Sequence, residues 1–117
     1  MTTGQESVVA IADLFGIRGG RDALLAAFVE AERGATSEPG CVRYSFAEAV
    51  GDPDHFVLIS EWRDRTSLEA HYRSSGFTAF QQSLYGLLAR PSEMTMYSIS
   101  EAVHPVASPE MDPRDAD

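Results

Sequence analysis

The sequence predicts an α+β domain in the order β-α-β-β-α-α-β, with one antiparallel four-stranded sheet. Three observations carry this. Segments 41–48 and 55–63 alternate apolar and polar residues with period two. The stretch from about Arg21 to Thr36 instead repeats its apolar residues at helical spacing. Clusters of Gly, Pro, Asp and Ser punctuate the chain between them.

Residues 8–15, Val-Val-Ala-Ile-Ala-Asp-Leu-Phe, are apolar and rich in strand formers, and predict the first strand. Gly16, Gly19 and Gly20 mark the turn after it. In the helix that follows, Leu24, Leu25, Phe28, Val29 and Ala31 form a stripe away from Arg21, Asp22, Glu32 and Arg33. Ser37-Glu38-Pro39-Gly40 stops it, since proline cannot continue a helix and glycine permits the turn. The second strand puts Val42, Tyr44 and Phe46 on one face and Cys41, Arg43 and Ser45 on the other. After the turn Gly51-Asp52-Pro53-Asp54, the third puts Phe56, Leu58, Ser60 and Trp62 against Val57, Ile59 and Glu61. The pair reads as a hairpin, and with Phe46 opposite Leu58, Tyr44 faces Ser60 and Arg43 faces Glu61.

Thr66-Ser67-Leu68-Glu69 has the form of a capping box, opening a short helix that carries His71. Ser74-Ser75-Gly76 breaks it. Phe77, Phe80, Leu84, Leu87 and Leu88 predict a further helix, ended by Arg90-Pro91, and 93–100 reads as the last strand. This order matches the ferredoxin-like arrangement. We expect a flexible segment over 1–7, one domain over 8–100 and a disordered tail over 101–117, which holds three prolines and few large apolar residues. The sheet face away from the helices carries Val9, Ile11, Phe15, Val57 and Ile59. Apolar residues there need cover, so the domain is expected to pair sheet to sheet as a homodimer.

Composition narrows the function classes. A formal charge of −9 argues against a nucleic-acid partner, because phosphate affinity comes from clustered positive charge. All the basic side chains are arginine, so no lysine is present to form a Schiff base. The single cysteine, Cys41, excludes an intrachain disulfide, and the scattered His55, His71 and His104 show no metal-ligand spacing. No glycine-rich dinucleotide fingerprint or nucleophile elbow is present. No export signal or membrane-spanning run is visible, which fits a cytoplasmic protein with no membrane partner.

Several short segments occur in a telling order: Glu38-Pro39-Gly40-Cys41 before the strand with Tyr44, then Glu61-Trp62, Leu68-Glu69-Ala70-His71 and Gly76-Phe77. Over roughly 8–100 the chain resembles the antibiotic biosynthesis monooxygenase family. The resemblance implies a dimeric α+β barrel. It also implies, without any cofactor, oxidation by dioxygen of an electron-rich aromatic such as an anthrone, hydroxynaphthalene or quinol. The haem-degrading branch would place asparagine, tryptophan and histidine where this chain has Leu14, His71 and Gln81, so that activity is disfavoured. The anthrone-oxidising branch shares Trp62, but its asparagine and tyrosine fall at Leu58 and Leu68. The His71 arrangement looks nearer to the quinol-oxidising branch.

Under this alignment the helix-facing side of the first strand offers Ala10, Ala12 and Leu14, small residues where a packed core prefers large ones. Either helix side chains fill the gap as ordinary core, or a cleft remains, walled by Leu14, Tyr44, Phe46, Leu58, Ser60, Trp62, Phe77 and Phe80. An imidazole titrates near neutrality, so His71 is a candidate general base for a phenolic proton, or else a surface histidine bonding the backbone. Trp62 is the second candidate catalytic residue, as wall and hydrogen-bond donor, or a plain core anchor. Tyr44 and Ser60 would orient a ligand oxygen, or bond to each other across the strands. Leu14, Leu58, Phe77 and Phe80 would contact the substrate. The rivals on the same scaffold are a non-oxidative polyketide cyclase or isomerase, and a non-catalytic ligand-binding dimer.

Overall fold

The computed structural model describes residues 6–105. Its elements are β1 (Ser7–Phe15), α1 (Arg21–Thr36), β2 (Cys41–Glu48), β3 (His55–Trp62), α2 (Arg65–Tyr72), α3 (Ser75–Ser83) and β4 (Glu93–Ile99). The strands form one antiparallel sheet in the order β2-β3-β1-β4. The α+β ferredoxin-like class expected from the sequence is therefore the class observed. Among the described residues no helix is long and apolar enough to cross a membrane. The expected flexible start and tail fall partly outside the described residues. Ser7 already belongs to β1, and 101–105 are exposed without regular structure.

Alternation on β1 sets the two layers. Val8, Ala10, Ala12 and Leu14 are buried under the helices, while Val9, Ile11, Asp13 and Phe15 stay half-buried on the bare face. Two apolar clusters fill the helix side. One joins Ala12, Leu14 and Phe56 to Leu24 and Phe28 of α1 and Phe80 of α3. The other joins Val8, Tyr44 and Trp62 to Ala35 of α1 and Leu68 of α2. The hairpin register is the expected one, with Phe46 opposite Leu58, Tyr44 opposite Ser60 and Arg43 opposite Glu61.

Four local expectations are corrected. A bulge between Cys41 and Arg43 breaks the alternation, so Val42 turns outward and is exposed instead of sharing the Tyr44 face. Val29 is exposed as well, because the buried stripe of α1 runs through Leu24, Phe28 and Ala35. The N-cap of α2 is Asp64, whose carboxylate accepts from the Ser67 backbone N–H at 2.8 Å, so Thr66 lies inside the helix and opens no capping box. The last helix starts one residue after Ser74, which caps it through Phe77 N–H at 3.1 Å. It stops at Ser83, short of Leu87 and Leu88.

The reason for that early stop is local. Gly86 takes φ +82°, and the chain hooks back onto the end of β1. Ile17 N–H donates to Leu87 O at 2.9 Å and Ala89 N–H to Phe15 O at 2.7 Å. Leu84, Leu87 and Leu88 thus reach the first cluster from this hook. At the far edge of the sheet, β4 lacks a covering helix. Met94 and Met96 pair with Ala12 and Ala10, so they lie on the helix side, yet both are exposed.

Candidate active site

Small residues on β1, a short α3 and an uncovered β4 leave a cavity of about 650 Å³ between sheet and helices. Its floor is Ala10, Ala12, Leu14, Leu58 and Ser60, and its wall is Tyr44, His71, Phe77 and Phe80. The alanine gap stays open.

His71 is 5% exposed on α2, and Glu38 stands beside it from the turn between α1 and β2. His71 Nδ1 lies 2.8 Å from Glu38 Oε1. An ionised carboxylate can only accept, so Nδ1 carries the proton and a neutral ring presents Nε2 as an acceptor. The turn is held in place from several sides. Glu38 N–H donates to Ala35 O at 3.0 Å, and Arg63 N–H donates to Gly40 O at 2.7 Å. Gly40 has φ +83°, and a Cβ there would stand 2.1 Å from Ser67 Oγ and 2.5 Å from Ser67 Cβ. Only glycine lets the turn meet the first turn of α2, the helix that carries His71.

Three polar side chains nine-tenths buried or more reach this apolar space: Ser60, Tyr44 and His71. Ser60 hydroxyl donates to Ala10 O at 3.4 Å, a long bond that leaves its oxygen able to accept. The Tyr44 hydroxyl and His71 Nε2 make no hydrogen bond to a described residue. The one sealed, partnerless side-chain N or O among the described residues is Trp62 Nε1, so these two atoms are not sealed in protein. Both residues line the cavity. Burial, with smaller contributions from Tyr72 and Glu38, pushes the Tyr44 phenol well above its ordinary pKa. It therefore keeps its proton near neutrality and acts as a donor.

Trp62, expected at the ligand, stands behind the lining. It is completely buried, its ring centroid 4.7 Å from that of His71 and 6.4 Å from that of Tyr44. Its orphaned indole N–H costs about 1–3 kcal/mol. Phe46 is likewise outside the lining, stacked on Phe28 at 4.0 Å. Leu14, Tyr44, Leu58, Ser60, His71, Phe77 and Phe80 all line it. Sequence reasoning missed the mouth, formed by Tyr72, Gln81, Tyr85 and Met94, where the Tyr72 hydroxyl donates to Met94 Sδ at 3.1 Å. It also missed Glu38 as a partner of His71. The remaining histidines lie elsewhere: His55 bonds Asp13 at 2.7 Å and stacks on Phe15, and His104 is exposed. Arg43 and Glu61 face each other in register but form no ion pair among the described residues. Tyr44 and Ser60 likewise do not bond to each other.

Comparison with known proteins agrees with this architecture. The chain is 38% identical over 79 residues to the Synechocystis protein sll1783, a match covering 68% of this chain and 52% of that protein. It thus spans about half the length of that curated relative. YcnE of Bacillus subtilis is 28% identical over 65 residues, covering 56% of this chain and 68% of its own. Among solved structures, Rv0793 of Mycobacterium tuberculosis superposes with a TM-score of 0.77 at 26% identity, covering 84% of this chain and 99% of that one. PA3566 of Pseudomonas aeruginosa shares the fold with a TM-score of 0.76 at 22% identity, covering 86% of this chain and 100% of that one. Residues 7–83 match the family described as antibiotic biosynthesis monooxygenase, and the chain belongs to that family.

Proposed function

We propose that this protein is a cofactor-independent monooxygenase that oxidises an electron-rich hydroxyaromatic, such as an anthrone, hydroxynaphthalene or quinol, to a quinone in secondary metabolism. The observation that carries the reading is the cavity itself: apolar and aromatic walls, with His71, Tyr44 and Ser60 as its buried polar groups. His71 is the general base and takes the phenolic proton on Nε2, while Tyr44 and Ser60 orient the oxygen. Leu14, Leu58, Phe77 and Phe80 sandwich the rings, and Trp62 supports His71 and Tyr44 from behind.

The resulting anion passes one electron to dioxygen. The radical pair recombines to a peroxide, which loses water to leave the quinone carbonyl. One oxygen atom enters the product and the other leaves as water. Apolar walls protect the radical pair from bulk solvent. Two copies pair through the bare sheet face, burying Val9, Ile11, Val57 and Ile59, with the domain spanning 8–100 and acting in the cytoplasm.

The same base also suits a non-oxidative cyclase or isomerase, since the Glu38–His71 pair moves a proton whether or not oxygen follows. The deciding experiment is oxygen uptake by purified, cofactor-free protein over a panel of anthrones and quinols. We expect stoichiometric dioxygen consumption and labelled oxygen in the product, with His71→Ala lowering turnover about a hundredfold or more. Undiminished turnover under argon would overturn the oxidative reading.

A further inference from the structure

We infer that the cavity holds its ligand as a phenolate, bound between the Glu38–His71 pair and the Tyr44 hydroxyl, with Glu38 as the positioning residue that makes the transfer favourable. The inference rests on the cavity being a hydroxyaryl site, but not on any reaction with dioxygen.

A lone imidazole in an apolar pocket is a poor trap for a phenolic proton, because both product ions lose hydration there. Glu38 changes that balance. Its carboxylate sits 2.8 Å from His71 Nδ1, at the end of the ring away from the free nitrogen. When Nε2 takes the proton, the imidazolium lies between two anions, the Glu38 carboxylate and the new phenolate. The proton leaves the ligand O–H, the O–H electron pair stays on the ligand oxygen, and no other group changes its protonation.

Tyr44 supplies the second contact. Its ring centroid is 5.4 Å from that of His71, and its hydroxyl has no described partner. Burial holds its proton, so it donates to the phenolate and does not compete for the base. The ionisable groups around His71 are Glu38 from the turn before β2, Tyr44 from β2 and Tyr72 from α2. Tyr72 is also pushed up by burial and its hydroxyl already donates to Met94. Of these three, Glu38 is the carboxylate.

The test uses 4-nitrophenol, whose phenolate alone absorbs strongly in the visible, at a pH where the free probe is mostly neutral. Calorimetry measures binding and the spectrum measures the bound form. Wild-type protein should bind the probe with its phenolate band. Glu38→Gln keeps a hydrogen-bond acceptor at Nδ1 but removes the charge, so the bound phenolate-to-phenol ratio should fall about tenfold or more. Tyr44→Phe should lower the ratio several-fold and shift the band, and His71→Gln should abolish it. A bound probe with a neutral-phenol spectrum, or an unchanged ratio in Glu38→Gln, overturns the phenolate inference and leaves the hydroxyaryl cavity standing. Absence of binding by the wild type sinks both. Circular dichroism of each variant checks that it is folded, and Glu38→Asp, which keeps the charge, should restore part of the band.

Discussion

Replacing Gly40 with alanine tests how the turn before β2 controls the site. The residue has φ +83°, where an L side chain costs about 1–2 kcal/mol. The new methyl would also lie 2.5 Å from Ser67 Cβ, which no rotamer change can relieve, so backbone must move. Overpacking of this kind costs about 1–3 kcal/mol, giving a total of about 2–5 kcal/mol. Gly51 provides the control, with φ +90° and nothing within 4 Å of an added Cβ, so Gly51→Ala bears the backbone term alone. In a domain of this size about 1 kcal/mol moves Tm by roughly 4–8 °C. Thermal denaturation should therefore place Gly40→Ala lower than Gly51→Ala by about 4 °C or more. Gly40→Ala should also weaken the phenolate band of bound 4-nitrophenol, because Glu38 lies in the displaced turn, two residues from Gly40. Equal destabilisation by the two substitutions would refute the steric account of the turn.

Two further outcomes follow from single contacts. The Asp64 carboxyl is held below its usual range by the Ser67 side-chain and backbone hydrogen bonds. Its folded-state pKa is depressed, so its contribution to stability is present above the unfolded value and lost as pH falls through the folded one. Asp64→Ala should lower Tm near neutrality, and the gap should close on acidification; a gap independent of pH would mean the cap contributes no charge-dependent stability. On the bare face, Ile59 lies opposite Ile11 and Ser45. Ile59→Asp should convert dimer to monomer in analytical ultracentrifugation, and a wild type already monomeric at micromolar concentration would remove the sheet-to-sheet pairing.

Most of the fold was legible because strands and helices write different periods. The helix-facing side of β1, Ala10, Ala12 and Leu14, followed from the family alignment, since 8–15 is an almost unbroken apolar run, and the β2–β3 register followed from one assumed pair, Phe46 with Leu58. Several of the misses arise where tertiary context overrides a local pattern. Val42 fits the alternation until a bulge, visible only from the partner strand, turns it out. Leu87 and Leu88 keep helical spacing, yet Gly86 and hydrogen bonds to β1 claim them for the hook. At the site, aromatic walls could be read from face assignments, but Glu38 could not. It sits inside a Pro-Gly stop signal, which reads as punctuation, and it meets His71 across 33 residues of chain. The signal that could have found it is chemical: a histidine that loses solvent needs a partner, and a carboxylate near a rigid turn is a candidate.

The cavity and its polar end have separate origins, and this bears on how the site can vary. Its volume comes from residues that forgo packing: two alanines on β1, an α3 that ends at Ser83, and a β4 whose helix-side methionines stay uncovered. Enlarging those alanines would fill the space with apolar contact that the domain now lacks, which favours folding as long as volume is not exceeded. The polar end depends instead on the Gly40–Ser67 approach, the Glu38–His71 bond and the packing of the His71 ring against Trp62. None of these involves Ala10, Ala12 or the hook. Substrate size and shape can therefore change through β1, the hook and β4 while proton transfer at His71 stays intact. A relative with a larger side chain at either alanine should accept smaller rings, yet still ionise the phenol it binds.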